Sequence, residues 1–453
     1  MAESEQDSLD KLEALLRDEK SVEVAAILSS QNAADAAELI RNLPLKLRDD
    51  ALLTLAPETA ADILEKLPDD LAAAAVLDME PGPAAAIAQE MQSDDVVDLL
   101  QDVGPEHAEA ILEHIDPEEA AVARQLLQYD EDSAGGLMQA EFIEVSETMT
   151  AGEAVHHLQE HAEEYAEYSA SYLYAVDSSR KLSAVVSLRS LLLCGSATPI
   201  SQIVSGEIIS VVPEMDGSEL VNLFRRHHYL AIPVVDESMQ LLGIVTQDDA
   251  MRFAEESAEE DMLSMTGIVG GDEFREMPLR QRSWGRLSWL SVNILLNVLA
   301  ASVIAFYQDT LRAVIALAVF LPIISDMSGC SGNQAVAVSI RELSLGRISP
   351  QKLLWVLGKE ISVGLINGLV LGVLIGLIAW WWQANAMLGL VIGGALWINT
   401  IVAVSIGGIV PLLLRRFGHD PAIASGPILT TMTDMCGFFI VLGTANHFLH
   451  LLV

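Results

Sequence analysis

Residues 361–414 read ISVGLINGLVLGVLIGLIAWWWQANAMLGLVIGGALWINTIVAVSIGGIVPLLL and contain no Asp, Glu, Lys, Arg or His. A helix rises about 1.5 Å per residue, so roughly 20 apolar residues cross a hydrocarbon core of about 30 Å. The stretch is long enough for two crossings, and the polar residues Gln383 and Asn385 predict a hinge between them. This pattern indicates an integral membrane protein.

Apolar segments on either side bring the predicted number of spans to five. Leu287–Tyr307 carries no charge, and Ala422–Val453 supplies the last span. The second span joins Ala313–Ile324 to Ala335–Ile340 across Ser325–Gln334, which is polar and Gly-rich and is expected to lack sustained helix. Irregular backbone at membrane depth is tolerated only beside protein or a water-filled cavity, so this interruption is a candidate pore element.

The charges of the predicted loops set the orientation. Basic residues concentrate on the side that also holds the N-terminal region, whereas the other side has Arg312. The positive-inside rule therefore makes the N-terminal region cytoplasmic and places the C-terminus outside. Because Met1–Asp10 is polar and predicts no signal peptide, we expect a multi-pass protein of the plasma membrane, the bacterial inner membrane. The basic residues are Arg280, Arg282, Arg286, Arg341, Arg347, Lys352, Lys359, Arg415 and Arg416.

The cytoplasmic part is strongly acidic. Of the 64 acidic residues 58 precede Trp284, with 17 of the 25 basic ones, so this part carries −41 of the overall charge of −39. Such a segment repels itself, nucleic acid and anionic lipid unless cations screen it. Bound divalent cations are one explanation, and adaptation for solubility or high salt is the other. The scattered Cys194, Cys330 and Cys436 predict neither a disulfide framework nor a zinc site.

Prolines divide residues 1–132 into short predicted helices. They recur every 11 to 13 residues, with one gap of 24 between Pro81 and Pro105 that a helix-start signal at Ser93–Asp95 fills. Helix pairs with a period near 24 residues predict a small superhelix, hence an all-α N-terminal domain. The prolines are Pro44, Pro57, Pro68, Pro81, Pro105 and Pro117.

Residues 133–255 contain an internal duplication, with copies at about 138–200 and 201–255. Leu173–Asp177 aligns with Ile232–Asp236, and the match continues without a gap through the following strand. Each copy reads helix, strand, turn, strand, helix, and the two copies resemble a tandem CBS pair, an α+β regulatory module.

A connecting helix follows the second copy. Asp248–Met265 has apolar residues at helical spacing, and the remainder is acidic. Gly270-Gly271 is expected to end the segment before the membrane domain. The apolar residues are Ala254, Ala258, Met262 and Met265.

The order of these parts resembles the MgtE family of magnesium channels over essentially the whole chain. Tyr129–Met138 is similar to the family's junction between N-terminal domain and CBS pair, and Gly332-Asn333-Gln334 to a turn in its second span. Asp420-Pro421 and Thr430–Asp434 are similar to the start and the acidic site of its fifth span. The resemblance implies a homodimer with the pore on its axis.

The expected fold class is therefore multidomain. It comprises an all-α superhelical N-terminal domain (1–132), an α+β tandem CBS pair (133–255), a connecting or plug helix with its linker (256–283) and a five-span α-helical membrane domain (284–453).

Asp434 is the main candidate for the pore. It falls about twelve residues into the last span, where burying a carboxylate costs at least ~2.5 kcal/mol, and the span cores contain no Lys or Arg to pair with it. One interpretation is a protonated or hydrogen-bonded structural Asp. The other is an ion site, because Mg²⁺ keeps several waters and two carboxylates of a dimer would hold the hydrated ion.

Three further residues join the predicted pore set. The resemblance implies backbone carbonyls near Thr430 as ligands. Asn333 belongs to the second-span interruption and is a candidate either for a cavity lining or for a polar helix contact. Asp326 and Cys330 depart from the family pattern of a small residue and an Asn, so a carboxylate is added near the pore. Other membrane asparagines, among them Asn293, Asn297 and Asn399, are predicted to bond between helices.

The resemblance also implies a Mg²⁺ sensor in which acidic residues face each other across domains. Like charges cannot dock closely without counter-ions, so bound Mg²⁺ would compact the sensor and hold the connecting helix against the pore. For each of these residues the alternative is a solvated surface acid. The candidates are Asp94, Asp98, Asp248, Asp249, Glu256, Glu259, Glu260 and Asp261.

Gly243, Thr246 and Asp249 fit the Gly-x-x-Thr-x-x-Asp pattern by which CBS modules bind nucleotides. The first copy has Ser190 in place of the Asp, so one site for ATP or another adenine nucleotide is predicted. The alternative is a strand-to-helix turn with Thr246 as N-cap. Asp249 cannot easily serve both ribose and Mg²⁺.

These features predict a channel or transporter that moves Mg²⁺ into the cytoplasm down its electrochemical gradient and that internal Mg²⁺ closes. One alternative is transport of Co²⁺, Mn²⁺ or Ni²⁺, and another is a membrane-tethered CBS protein that senses nucleotide without transport. No Walker A loop, nucleophile elbow, HExxH motif or Cys-His pair is present, so an enzyme is not expected.

Overall fold

The computed structural model describes residues 2–18, 20–163, 165, 168, 171–203, 208–265, 267–268, 279–419 and 421–453. Asp420 and Gly270-Gly271 lie outside the described residues. The chain forms two compact units, Met1–Ala254 and Glu255–Val453.

Short helices form the N-terminal domain, as predicted, and its described residues contain ten of them. Proline occupies the first turn of α5, α7, α9 and α10, where its missing N–H costs no hydrogen bond. Alternate helices pack together, α3 on α5 and α4 on α6 for example, and share one apolar core that extends from Leu12 to Ala123. The helices are α1 Ala2–Arg17, α2 Ser21–Leu28, α3 Ala33–Arg41, α4 Leu45–Leu53, α5 Pro57–Leu64, α6 Asp69–Leu77, α7 Pro81–Ala88, α8 Ser93–Asp102, α9 Pro105–Leu112 and α10 Pro117–Leu126.

The duplication appears as two matching αββα units. In the first, β1 pairs in parallel with β2, which pairs antiparallel with β3, and in the second β4 pairs antiparallel with β5. Both hairpins shift register at the same aligned place, and both have a left-handed residue in the turn, Arg180 and Met239. The elements are β1 Ile143–Ser146, α11 Ala151–Glu160, β2 Tyr172–Val176, β3 Leu182–Ser187, α12 Leu188–Leu193, α13 Ile200–Ile203, α14 Gly217–His227, β4 Ala231–Val235, β5 Leu241–Thr246 and α15 Gln247–Met265.

The connecting helix α15 is formed, but its apolar stripe is not its buried face. Met262 is 71% exposed and Met265 is also exposed, whereas Ser264 is buried and Asp261 half-buried. Ser344 Oγ donates to Asp261 at 3.4 Å. The buried face of this part of α15 is therefore polar, which hydrophobic spacing does not predict.

Among the described residues, four helices are long and apolar enough to span a membrane: Arg282–Phe306, Pro350–Gln383, Ala386–Arg416 and Gly426–His447. The predicted hinge is confirmed, because Ala384 is left-handed and Asn385 caps the next helix. The elements of this unit are α16 Leu279–Phe306, α17 Gln308–Ala313, α18 Leu317–Ser344, the 3₁₀ turn Pro350–Lys352, α19 Leu353–Gln383, α20 Ala386–Arg416, α21 Pro421–His447 and α22 Leu449–Leu452.

The predicted interruption at Ser325–Gln334 is wrong, because α18 is one continuous helix through it. Its small residues serve packing instead. A Cβ on Gly332 would lie 2.8 Å from Leu429 Cδ1, so glycine lets α21 approach closely. Ser331 Oγ bonds back to the carbonyl of Met327, which removes a polar group from the helix surface.

Candidate functional site

Asp434 lies on α21 and is only 9% exposed. Ser325 Oγ of α18 donates a hydrogen bond to its carboxylate. Among the ion pairs of the described residues none includes Asp434. The Asp434 carboxylate thus lies at the junction of α18 and α21, where a neutral hydroxyl donates to it.

A second polar network lies beside it. Asn399 of α20 is completely buried, and its Nδ2 donates to Ser328 Oγ of α18 at 2.8 Å and to the carbonyl of Thr433 at 3.1 Å. Thr433 Oγ1 donates to the carbonyl of Thr430 at 3.0 Å. These bonds tie α18, α20 and α21 together at the level of Asp434. Ser325, Ser328 and Asn399 contribute to this junction but were not predicted as residues of the site.

The other predicted pore residues lie on exposed faces of the same two helices. Asp326, Cys330 and Asn333 follow at i, i+4 and i+7 on α18, and all three are exposed. Thr430 is exposed one turn before Asp434 on α21. Because α18 packs on α21, the four predicted pore residues, which are Asp326, Asn333, Thr430 and Asp434, belong to adjacent helices.

The predicted sensor residues fall into two groups, one in each unit. Asp94, Asp98 and Asp249 interact electrostatically in the first unit, whereas Glu256, Glu259, Glu260 and Asp261 belong to the second. Asp248, next to Asp249, is exposed. In the part of the chain that the structure describes, no three His, Cys, Asp or Glu side chains form a ready metal cage.

Burial makes the Asp94 group electrostatically unusual. Desolvation, then the charges of Asp95 and Asp249, raises the pKa of Asp94 well above its usual range, and Arg252 opposes the shift. Asp94 Oδ1 is buried without a hydrogen-bond partner among the described residues. Desolvation also raises the pKa of Asp95. An orphaned, buried carboxylate oxygen among like charges fits a bound cation.

Arg252 and Asp95 are the members of this cluster that the predictions missed. Arg252 Nη1 lies 2.8 Å from Asp95 Oδ1, and Nη2 lies 3.6 Å from Asp249 Oδ1. Arg252 follows Asp249 by three residues on α15, so a helical i, i+3 pair was a usable signal. The contact to Asp95 across 157 residues was not.

The predicted nucleotide residues are engaged in local structure. A Cβ on Gly243 would lie 2.7 Å from the carbonyl of Gln139, so the glycine permits a close backbone approach. Thr246 Oγ1 bonds the Asp249 carboxylate and accepts from the Asp249 N–H at 3.3 Å. This is the capping arrangement that was the alternative interpretation, and Asp249 already serves Thr246 and Arg252.

Comparison with known families agrees with this geometry. The chain matches the family models for a divalent cation transporter at residues 321–444, the MgtE intracellular N domain at 31–132 and the CBS domain at 200–256. The fold and site thus define a divalent cation transporter with an intracellular helical domain and CBS repeats. The chain belongs to the MgtE family of magnesium transporters, as relatives confirm.

Three relatives are each named magnesium transporter MgtE. The protein of Bacillus subtilis is 33% identical, covering 74% of either chain, and that of Enterococcus faecalis is 34% identical, covering 74% of this chain and 73% of its own. The protein of Thermus thermophilus is 33% identical over 73% of each. These names confirm the predictions of MgtE resemblance and of a function that is not enzymatic.

Two solved structures resemble the soluble part. One is the soluble part of a magnesium transporter, 27% identical with a TM-score of 0.50, covering 56% of this chain and 99% of that one. The other is the cytosolic domain of the Mg²⁺ channel MgtE in complex with ATP, 29% identical with a TM-score of 0.50, covering 54% and 99%. The placement of the soluble domains in the cytoplasm is thereby supported.

Proposed function

We propose that this chain is a Mg²⁺-selective channel or transporter that carries Mg²⁺ into the cytoplasm down its electrochemical gradient. The observation that carries the proposal is Asp434, a buried carboxylate on a membrane helix that a serine hydroxyl holds. Keeping a carboxylate at membrane depth costs at least ~2.5 kcal/mol, which a passing dication offsets. A negative interior favours inward movement by ~2.3 kcal/mol per charge per 100 mV.

The pore lies between two copies of the chain. α18 joins the four candidate spans as the fifth, which places the C-terminus outside. Its polar residues Asp326 and Asn333 are exposed in one chain, and polar groups facing lipid are costly. A second copy related by a two-fold axis would place two such faces and two Asp434 carboxylates around one aqueous path. A hydrated Mg²⁺ would pass between them with its waters.

Internal Mg²⁺ closes this path through the acidic cytoplasmic unit. The orphaned oxygen of Asp94, beside Asp98 and Asp249, supports a cation at this cluster. Glu256, Glu259, Glu260 and Asp261 form the acidic surface of α15 that a second group of ions would screen. Bound ions hold α15 in place, and loss of the ions lets like charges separate it from its contacts.

Adenine-nucleotide binding remains a prediction for the turn at Gly243–Thr246. The cytosolic domain of a similar Mg²⁺ channel has been solved in complex with ATP, which supports a nucleotide site in the cytosolic part of this chain. Asp249 does not fit the ribose role in its present contacts with Thr246 and Arg252. We therefore assign no step to the nucleotide.

The test is Mg²⁺ flux into proteoliposomes with Asp434→Asn and Asp434→Ala. Both variants remove the carboxylate charge that would attract the dication, so flux should fall roughly ten- to hundred-fold, at about 1.4 kcal/mol per tenfold. Asp309→Asn is the control, because Asp309 is exposed and pairs with neighbouring Arg312 on the surface. Flux through both Asp434 variants at the wild-type level would remove the assignment.

Transport of a softer dication is the second candidate. Cys330 is exposed one turn after Asp326 on α18, and thiolates favour softer metals than Mg²⁺. Competition of Co²⁺, Ni²⁺ and Mn²⁺ with Mg²⁺ uptake, in wild type and Cys330→Asn, separates the two. A Co²⁺ preference that Cys330→Asn abolishes would favour this candidate.

A further inference from the structure

The acidic cluster of Asp94, Asp95 and Asp249 includes a positively charged side chain, Arg252. Asp94 and Asp95 begin α8 of the N-terminal domain, whereas Asp249 begins α15 after the second CBS repeat. Asp94 is 3% exposed, and its Oδ1 has no hydrogen-bond partner among the described residues. An acidic cluster of this kind would push the two elements apart if nothing neutralised it.

Arg252 lies between the two elements. Its guanidinium bonds Asp95 of α8 at 2.8 Å and lies 3.6 Å from Asp249 of its own helix. Burial alone would lower the pKa of Arg252, but Asp95, Asp249 and Asp94 together outweigh it and raise the pKa further. Arginine therefore remains charged here under all ordinary conditions.

We infer that Arg252 is the resident cation of this cluster and sets the Mg²⁺ concentration at which the cluster responds. A tethered guanidinium holds α8 against α15 before any ion arrives, because it is weakly hydrated and suits buried carboxylates. The same positive charge repels an incoming dication, and the guanidinium already contacts the carboxylates of Asp95 and Asp249. This inference rests on the proposed Mg²⁺ sensor and adds that Arg252 sets the sensor's affinity for Mg²⁺.

Two effects of removing Arg252 follow, and they have opposite signs. Without Mg²⁺, the carboxylates lose their counter-charge, so α8 separates from α15. With Mg²⁺, the more negative cluster binds the ion more tightly. A merely structural arginine would produce the first effect but not the second.

The experiment is limited proteolysis of the purified full-length protein with chymotrypsin, whose sites the substitutions leave intact. Digestion is followed in EDTA and across a Mg²⁺ titration for wild type, Arg252→Gln and Arg252→Lys. Arg252→Gln should be cut several-fold faster than wild type in EDTA, and its Mg²⁺ midpoint for protection should fall roughly ten-fold. Arg252→Lys keeps the charge and should retain most of the wild-type behaviour.

Two further variants test whether the result is specific to Arg252. Asp95→Asn breaks the same pair from the other side and removes a carboxylate, so it should be cut faster in EDTA without gaining Mg²⁺ affinity. Arg124→Gln is the matched control, because Arg124 pairs with Glu109 on the surface of the N-terminal domain. It should match wild type in both conditions.

The outcomes separate the two proposals. Equal digestion of wild type and Arg252→Gln in EDTA, or an unchanged or higher Mg²⁺ midpoint for Arg252→Gln, overturns the inference. If Mg²⁺ protects no variant, the proposed sensor itself fails, and the inference built on it falls too. Flux through Asp434 is measured independently, so transport stands or falls separately.

Discussion

Asn399 joins three helices through one side chain. The sequence predicted interhelical bonds for several membrane asparagines, and for Asn399 this is confirmed, since it bonds Ser328 of α18 and Thr433 of α21. Asn293 and Asn297 instead donate to carbonyls of their own helix, α16, so the prediction is wrong for their amides. Gly437 has no side chain because a Cβ there would lie 2.6 Å from Asn399 Nδ2.

Asn399→Leu should lower Mg²⁺ flux several-fold and raise KM. The leucine leaves the Ser328 hydroxyl without its donor, at a cost of about 1–3 kcal/mol, and frees the backbone at Thr433 beside Asp434. The measurement is the concentration dependence of Mg²⁺ and Co²⁺ flux, together with Tm. Asn297→Leu is the control, and its flux should stay close to wild type. If Asn399→Leu lowers Tm but leaves KM and the ratio of Mg²⁺ flux to Co²⁺ flux unchanged, Asn399 stabilises the packing of the helices and does not shape the ion site.

At the residue scale, the sequence predicted Asp434 as the candidate acid of the pore but did not predict the side chain that contacts it. Asp434 stands out because a lone charge in an apolar span is rare. Ser325 is 109 residues away in the chain, and only the packing of α18 on α21 brings it within bonding distance. Arg252 was missed for the same reason, because its main partner, Asp95, is on a different domain.

Among the elements, α18 departs most from expectation. Glycine, serine and asparagine form helices less readily in water than alanine or leucine, so the pattern favoured an interruption. In the structure the same small residues allow close helix packing, which outweighs local preference. Gly407 of α20 makes the point, since a Cβ there would lie 2.3 Å from the carbonyl of Gly332.

Gly407→Ala should destabilise the membrane unit by about 1–3 kcal/mol, because the added methyl forces α18 and α20 apart. Thermal unfolding in detergent measures this. Gly394→Ala, on the same helix, is the matched control, since a Cβ at Gly394 meets no atom within 4 Å. Equal Tm values for the two variants would contradict the packing role of Gly407.

For the whole molecule, the order of parts was readable from the sequence. The regular proline spacing, the internal duplication and the long charge-free stretches are each visible in the sequence without knowledge of tertiary contacts. The structure contains the three regions that these signals predict. The buried face of α15 could not be predicted from the sequence, because Ser264 is buried and Asp261 half-buried where Met262 is exposed. Polar contacts between elements leave no periodic signal in the chain.

Deleting residues 1–132 should make Mg²⁺ flux insensitive to millimolar Mg²⁺ on the cytoplasmic side, while full-length protein is inhibited. The reason is that the deletion removes Asp94, Asp95 and Asp98 and leaves Asp249 without its counterpart. Flux in proteoliposomes loaded with Mg²⁺ or EDTA measures this, and combining the deletion with Asp434→Ala should lower flux roughly ten- to hundred-fold in both conditions, as Asp434→Ala alone does. Undiminished inhibition of the deletion variant would place the sensor elsewhere.

The continuity of α18 has a mechanical consequence. Ser344 at one end contacts Asp261 of α15, and Ser325 nearer the other end holds Asp434. The proline of this helix, Pro322, precedes Ser325, so no kink-forming ring interrupts the rod between the two contacts. At about 1.5 Å per residue, the helix from Ser325 to Ser344 spans about 28 Å. We therefore expect a displacement of Ser344 to be passed along α18 to Ser325, which donates to the Asp434 carboxylate.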